Sequence, residues 1–247
     1  MAFIVVLFCM AVQWFLKFSS ANYQLSWADY YSHWMQKRIT AITTGHGLVG
    51  VLLLALPVII IASLVLTMVY HGLGHFGYFI VSLILLWYCL DALSWRQSIN
   101  VPQLFLKSYQ SVFVILFWYF VFGPVGLVIY VVIDRLRAHF ETRSADEPIR
   151  KTILPALTQV QGVLDWVPVR LLGLTYALAG HFSPVFDRWM TDLFQGISND
   201  QHLVTAWGEV AIQPEVTNTL EAVGLVDRSL IIWLVVMALI SLGFWMG

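Results

Sequence analysis

The segment from Gly162 to Phe182 places an acid, a base and a proline inside an otherwise apolar run. This run is close to the length of about 20 apolar residues that a helix needs to cross a bilayer. An ionised Asp165 or Arg170 near the bilayer centre costs roughly 2.5–3.5 kcal/mol on insertion scales. Each is therefore tolerated only near the interface, beside a polar partner, or next to a water-filled cavity, which restricts how the segment packs.

The composition predicts a membrane protein. Of the 247 residues, 60% are hydrophobic and 11% are charged, whereas roughly 25% of the residues in a soluble domain are charged. The apolar runs are continuous, and a backbone that spans a bilayer must satisfy its own hydrogen bonds, so the predicted fold class is an all-α integral membrane protein. A net charge of −1 gives no electrostatic basis for binding nucleic acid.

Five apolar segments are candidate membrane helices, which predicts four to five spans across the bilayer. They are Met1–Leu16, Gly47–Tyr70, Phe76–Leu90, Val112–Ile133 and Ser229–Gly247. The first is short and is expected to be a span, an interfacial helix or an uncleaved anchor rather than a secretory signal peptide. We predict a single domain over residues 1–247, with a polar helical region, 135–228, inserted before the last span. No internal repeat is evident.

Two glycine-rich stretches, Gly45–Gly50 and Gly72–Gly77, both match the pattern G-x-G-x-x-G. Neither follows a strand, as a dinucleotide site requires. The second match instead separates two candidate spans, so these spans are predicted to form a tight antiparallel hairpin. Pro57 is expected to bend the first arm, because it leaves the Leu53 carbonyl without its helical donor.

Pro124 predicts a break within the fourth candidate span. With Gly123 and Gly126 beside it, the helix is expected to kink near mid-membrane and turn exposed backbone toward the protein interior. A full re-entrant hairpin is the alternative. The positive-inside rule places the polar stretch Asp134–Arg228 in the cytoplasm, and a complete crossing would then leave the basic residues of the earlier polar stretches outside.

Several conspicuous side chains are assigned ordinary structural roles. Cys9 and Cys89 lie in apolar runs, and packed thiols are expected there rather than a disulfide or a metal pair. His71 and His75 have i, i+4 spacing, but the glycines between them favour a turn over a metal-binding helix. The aromatic and basic residues of Lys17–Thr44 predict an amphipathic helix among the lipid headgroups.

Asp165 and Arg170 have a structural and a functional interpretation. Asp165 is suited to cap a helix that begins at Trp166, with Pro168 in its first turn, and Arg170 is suited to extend toward lipid headgroups. The alternative is a polar, anion-binding site at that helix N-terminus. Both interpretations stay open, with Arg170 about 140° around the helix from Asp165.

The same stretch resembles a known family. Residues Val163–Leu171 (VLDWVPVRL), followed by Tyr176-Ala177-Leu178 and Gly180-His181, are similar to the signature of the AmpE family. A second block is similar to the LFW…GP…Y segment of that family; it consists of Leu116-Phe117-Trp118, Gly123–Gly126 and Tyr130. AmpE proteins are bacterial inner-membrane proteins linked to β-lactamase induction and encoded beside an anhydro-muramyl-peptide amidase.

The AmpE resemblance implies a multi-pass inner-membrane sensor or accessory protein in peptidoglycan recycling and the β-lactam response, without turnover of its own. Its partner would be a cell-wall-recycling protein or a muropeptide-like ligand. AmpE in turn resembles the CobD/CbiB family of adenosylcobinamide-phosphate synthases, which implies the alternative of an ATP-dependent, amide-forming enzyme using Mg-ATP. This chain departs from those synthases in lacking their Asn-Thr-Leu-Asp-type run and their opening Gly-Asp-Pro…His-Pro segment.

The two matched blocks predict one site. A helix beginning near Asp165 is expected to pack against Gly123–Asp134, because polar groups near an apolar core cost least when they satisfy one another. Arg170 would bind the anion, since its planar fork suits carboxylate or phosphate. The candidate ligand-binding residues are Asp165, Arg170, Tyr130, Asp134, Trp166, Gly123, Gly126, Tyr176 and His181. Neither a metal site nor a catalytic residue is assigned.

Overall fold

The computed structural model describes residues 2–16, 47–91, 94–98, 100–142, 148–194, 196, 200–212 and 219–246. The α-helices of these residues are α1 (Ala2–Leu16), α2 (Gly47–Cys89), α3 (Val101–Ser108), α4 (Val114–Glu141), α5 (Pro148–Ala179), α6 (Phe182–Asp192), α7 (Asp200–Ala211) and α8 (Thr219–Met246). A 3₁₀ turn, Ser94–Gln97, precedes α3, and a π-helical turn, Tyr109–Phe113, joins α3 to α4. The predicted amphipathic segment Lys17–Thr44 lies outside the described residues.

Four helical stretches are long and apolar enough to cross a membrane, which confirms the predicted fold class. They are Gly47–Cys89, Val101–Glu141, Arg150–Ala179 and Thr219–Phe244. The third corresponds to α5, which lies within the stretch 135–228 that the sequence predicts as a polar helical region. The shorter apolar helix α1 is attached to the end of α2, because the Gln13 side chain donates a hydrogen bond of 2.6 Å to the Leu90 carbonyl.

Helix α4 folds back on itself at Gly123, where φ is 65° and ψ is −155°, a conformation that favours glycine. A Cβ atom on Gly126 would lie 2.6 Å from the Trp118 carbonyl oxygen. Eight residues of unbroken helix would instead separate these positions by about 12 Å along the axis. The predicted break beside Pro124 is confirmed, and it is sharp enough for Tyr109 and Tyr130, on either side of it, to reach the same carboxylate oxygen of Asp165.

Helix α2 breaks in the same way at Gly74, where φ is 66° and ψ is −160°. Tyr70 and Tyr78, on either side of the break, have ring centroids only 5.9 Å apart. The hairpin predicted for the second and third apolar segments is therefore confirmed. Pro57 lies within the first arm, but the residue of α2 with non-helical dihedral angles is Gly74.

The two breaks share a sequence pattern, Tyr-x-x-(Leu or Phe)-Gly-x-x-Gly, at Tyr70–Gly77 and at Tyr119–Gly126. In each copy the last glycine packs against the side chain that precedes the break, which is Leu73 in α2 and Phe122 in α4. The expectation of no internal repeat is therefore wrong for this motif. Its two copies differ at most other positions, so the likeness becomes apparent only from the shared backbone geometry.

Helix α5 is the central element of the described fold, and it packs against α2, α4, α6, α7 and α8. Its first half, around Ile153 and Leu157, shares a buried cluster with Val51 of α2 and Leu136 of α4. Its second half belongs to a larger cluster that extends to α7 and α8. Polar side chains on the inner faces of α5 therefore contact protein and not lipid.

Candidate functional site

Asp165 lies in the interior of α5 and not at its start. The helix runs continuously from Pro148 to Ala179, so the interpretation of Asp165 as a helix cap is wrong. Helix-start preferences are weak compared with the burial of an amphipathic face, and α5 buries residues on both sides of Asp165. Pro168 is also interior, and its missing N–H leaves the Leu164 carbonyl without a helical donor.

The Asp165 carboxylate accepts hydrogen bonds from two tyrosines. The hydroxyls of Tyr109 and Tyr130 donate to its Oδ1 atom at 2.6 Å and 3.0 Å. Asp165 is only 2% exposed, and hydrogen bonds to a charged acceptor are roughly twice as strong as neutral ones. They offset part of the cost of burying a carboxylate. Asp165 thereby joins α5 to the π-helical turn before α4 and to the second arm of α4.

A second polar pair lies about one turn earlier on α5. Gln161 Nε2 donates a hydrogen bond of 3.1 Å to Asp134 Oδ1, and Gln161 is buried. Asp134 is one turn after Tyr130 on α4, just as Gln161 is one turn before Asp165 on α5. These four side chains therefore form two hydrogen-bonded pairs between α4 and α5. We call them, together with Tyr109, the Asp165 ladder.

Tyr109 and Gln161 were not predicted as members of this site. Tyr109 is fully buried and is the first residue of the π-helical turn, a feature that is frequent at functional sites. In the sequence it stands among polar residues at the edge of an apolar run, which indicates an interfacial anchor. Gln161 was identifiable by its i−4 spacing from Asp165, which places both on one helix face.

Arg170 contacts a different element. Its guanidinium carbon lies 5.0 Å from the centroid of the Trp166 ring, and its Nε donates to the Leu193 carbonyl at 3.4 Å, just beyond α6. The Trp189 indole of α6 donates to the Arg170 carbonyl at 2.9 Å. Arg170 is 4% exposed, so an orientation toward lipid headgroups is wrong, because α6 covers the side chain.

The four residues predicted to share one pocket therefore do not all lie together. Asp165 bonds directly to Tyr130 and lies one turn from Asp134, whereas Arg170 faces α6 about 140° around the helix. Mg-ATP needs accessible, convergent carboxylates, and Asp165 is buried with its Oδ1 occupied by two hydroxyls. An Asp134–Asp165 magnesium site does not fit this arrangement. Among the described residues no group of three or more His, Cys, Asp or Glu side chains is placed to hold a metal.

The remaining candidates lie apart from the Asp165 ladder. Gly123 and Gly126 form the fold-back of α4. Tyr176 is fully buried in the aromatic core. His181 is exposed just before α6, and its backbone N–H donates to the Ala211 carbonyl at 3.3 Å. The sequence motif therefore supplies side chains to several separate parts of the fold.

His181 borders a groove between α6 and α7 of about 650 Å³, which also exposes Arg188, His202 and Glu209. Arg188 Nε lies 3.7 Å from Asp192 Oδ2. We call this groove of about 650 Å³ the α6–α7 groove. Its arginine, its two histidines and its glutamate are suited to contact a ligand of mixed charge.

Asp192 connects the groove to α5. The same Oδ2 atom accepts a hydrogen bond of 3.1 Å from the Trp207 indole. The Trp207 ring packs against Gly173 of α5, where a Cβ atom would lie 2.6 Å from a ring carbon. The groove and the central helix are therefore linked through two buried contacts.

These features define an all-α membrane protein with a hydrogen-bonded polar interior and a charged groove outside its spans. A family model described as "Regulatory signalling modulator protein AmpE" matches residues 96–244, and the chain belongs to this family. Protein AmpE of Shigella flexneri is 28% identical over 132 residues, which are 51% of this chain and 46% of that protein. The chain thus spans about half the length of the curated relative it matches. No solved structure matches.

The AmpE resemblance predicted from the sequence is thereby confirmed. The matched region contains the Asp165 ladder, Arg170 and the α6–α7 groove. The wider relationship to the CobD/CbiB synthases stays a prediction.

Proposed function

We propose that this chain is a multi-pass protein of the bacterial inner membrane that modulates the β-lactam response through β-lactamase induction, in connection with peptidoglycan recycling. The observation that carries the proposal is the AmpE family match over residues 96–244. The four long apolar helical stretches support the multi-pass arrangement.

The proposal assigns ligand recognition to the α6–α7 groove. Arg188, His181 and His202 supply donors for anionic groups, and Glu209 supplies an acceptor for an amine. A muropeptide-like ligand carries both kinds of group. Its carboxylate would compete with Asp192 for Arg188, whose guanidinium lies 3.7 Å from that side chain.

A change at the Arg188–Asp192 pair can be transmitted to the membrane interior. Asp192 accepts a hydrogen bond from Trp207, and the Leu193 carbonyl accepts one from Arg170 of α5. A small shift of α6 would therefore also shift α5, which carries Asp165. Helix shifts of about 1–2 Å at packed interfaces are an established way of transmitting binding events.

The test is complementation in a bacterium that lacks its own AmpE gene and carries an inducible β-lactamase. Hydrolysis of a chromogenic cephalosporin is measured with and without a sub-inhibitory β-lactam. The chain is expected to change the induction ratio, and Arg188→Gln is expected to abolish that change. Arg96→Gln is the matched control, because Arg96 is also an ion-paired arginine with a partly exposed side chain.

A direct binding measurement accompanies the complementation. Purified chain in detergent is expected to show a rise in Tm with an anhydro-muramyl peptide, and this rise is expected to be absent in Arg188→Gln. If cells expressing the chain in their membranes induce β-lactamase like cells with an empty vector, the proposed function is wrong. If induction depends on the chain but Arg188→Gln behaves like wild type, the assignment to the groove is wrong.

A further inference from the structure

The two fold-backs of α2 and α4 meet around one cavity of about 270 Å³. Tyr70 and Tyr119, which occupy the same position in the two copies of the repeated motif, both line it. His75 and Pro124, which follow the two break glycines, line it as well. The cavity therefore lies at the junction of two copies of one structural motif.

Paired interrupted helices around a cavity are a recurrent arrangement for ligand sites in membrane proteins. Irregular backbone at membrane depth persists only where protein covers it or where it lines a cavity. The cavity is lined by the break glycine of α4, Gly123, and by His75, which directly follows the break glycine of α2. This placement suggests a function beyond that of a simple chain reversal.

The cavity wall is mainly aromatic. Tyr70, His75, Tyr78, Phe79 and Tyr119 supply five rings. The Tyr70 ring lies 5.1 Å from that of His75 and 5.9 Å from that of Tyr78, in edge-to-face geometry. The residues lining the cavity include neither a carboxylate for a divalent metal nor a Lys or Arg for an anion.

The cavity has a buried floor and a partly open mouth. Ser82 and Tyr119 at the floor are 1% and 2% exposed. The Ser82 hydroxyl has no hydrogen-bond partner of good geometry among the described residues, and it lines the cavity. Tyr70 at the mouth is 41% exposed, close to the strongly exposed apolar side chains Leu73 and Phe76. The mouth therefore opens at an apolar surface suited to contact lipid.

We propose that this cavity binds an organic ammonium group, such as the headgroup of an amine-bearing lipid or a small free amine. Aromatic faces attract cations, and desolvated rings strengthen that attraction. The Ser82 and tyrosine oxygens accept hydrogen bonds from a primary ammonium, or from a hydroxyl beside a quaternary one such as that of choline. The wall offers no Lys or Arg to an anion, and a purely apolar ligand would leave the oxygens of Ser82 and the tyrosines without a donor from the ligand.

The first experiment compares choline with 3,3-dimethylbutan-1-ol, which has nearly the same shape but no charge. Binding to the full chain in detergent is measured by calorimetry and by the shift in Tm. Choline is expected to bind about tenfold more tightly than the alcohol, in line with a cation–π contribution of about 1–2 kcal/mol at a desolvated site. Equal binding of the two compounds, or no binding of choline, would overturn the proposal.

Substitutions of single tyrosines test whether choline binds in this cavity. Tyr119→Leu removes a ring and is expected to abolish the preference for choline, whereas Tyr119→Phe is expected to keep most of it. Tyr70→Leu at the exposed mouth serves the same purpose if the buried substitution prevents folding. Tyr88→Leu, a similarly exposed tyrosine of α2 that does not line the cavity, is the control. Unchanged choline preference in both the Tyr119→Leu and the Tyr70→Leu proteins would contradict the site.

The source of the ammonium group is distinguished with lipid nanodiscs. In discs of phosphatidylethanolamine, choline binding is expected to weaken by competition if the natural occupant is a lipid headgroup. In discs of phosphatidylglycerol, which carries no amine, choline binding should equal that in detergent. Equal affinity in both kinds of disc would assign the site to a small free amine instead.

Discussion

The membrane interior and the α6–α7 pair satisfy their buried acids in different ways. Asp165 in the interior is 2% exposed and accepts bonds from two neutral tyrosine hydroxyls. Asp192 in the α6–α7 pair is 7% exposed, accepts a hydrogen bond from the Trp207 indole, and lies 3.7 Å from Arg188, whose side chain is 52% exposed.

The difference follows from the surroundings. Ionic attraction is weakened by water and salt at a partly exposed site, so the Arg188–Asp192 contact is easily exchanged for a ligand. Hydrogen bonds inside an apolar core have no solvent to replace them. The interior is therefore suited to hold the helices together, and the α6–α7 pair is suited to respond.

The largest expected effect is that of Asp165→Ala. This change leaves the Tyr109 and Tyr130 hydroxyls buried without their carboxylate acceptor, and each such group costs about 1–3 kcal/mol. A loss of about 2–6 kcal/mol in the free energy of unfolding is expected. It is measured as a fall in Tm of the purified protein in detergent. Asp165→Asn keeps an acceptor oxygen, so its loss should be smaller.

A compensated variant tests the cause of that loss. Adding Tyr109→Phe and Tyr130→Phe to Asp165→Ala removes the two hydroxyls that have lost their carboxylate acceptor and should recover part of the stability. If the triple variant is less stable than Asp165→Ala alone, the tyrosines stabilise the protein by packing and not through the carboxylate.

Arg170→Ala is expected to have an intermediate and local effect. It removes the contact with the Trp166 ring and the bond to the Leu193 carbonyl, and hydrogen bonds from charged groups are worth about 1.5–3 kcal/mol. Amide hydrogen exchange should quicken in α6 and stay unchanged in the arms of α4. Arg170→Lys should lie between, because lysine lacks the planar stacking surface.

The exchange rates of α4 and α6 also test whether Arg170 stabilises only one of the two regions. Exchange that quickens equally in α4 and α6 would show that Arg170 supports the membrane interior as well. The membrane interior and the α6–α7 pair would then not be independent, because Arg170 of α5 would stabilise both.

The smallest expected effect is at the exposed ion pair between Arg96 and Asp227. Their side chains are 37% exposed each and the atoms lie 2.6 Å apart. Exposed pairs contribute about 0.2–1 kcal/mol, and salt reduces this further. Arg96→Gln should lower Tm slightly at low salt and have no measurable effect at high salt. A large loss that persists in high salt would contradict the solvent-exposed assignment.

The sequence by itself determined the membrane class, because so much apolar surface can be covered only by lipid. It also predicted both helix breaks, since glycine and proline act through local backbone geometry that does not depend on distant residues. The family resemblance was readable from a short local motif for the same reason. Local features of this kind are available before any tertiary contact is known.

Only the tertiary structure decided what Asp165 does. Its sequence neighbours favour a helix start, but packing on both sides continues α5 through it. Its donor Tyr109 is 56 residues away along the chain, and no local pattern joins them. The fold-backs at Gly74 and Gly123 likewise meet at one cavity only because α2 and α4 pack together. Long-range packing, and not local preference, determines which polar groups share a site.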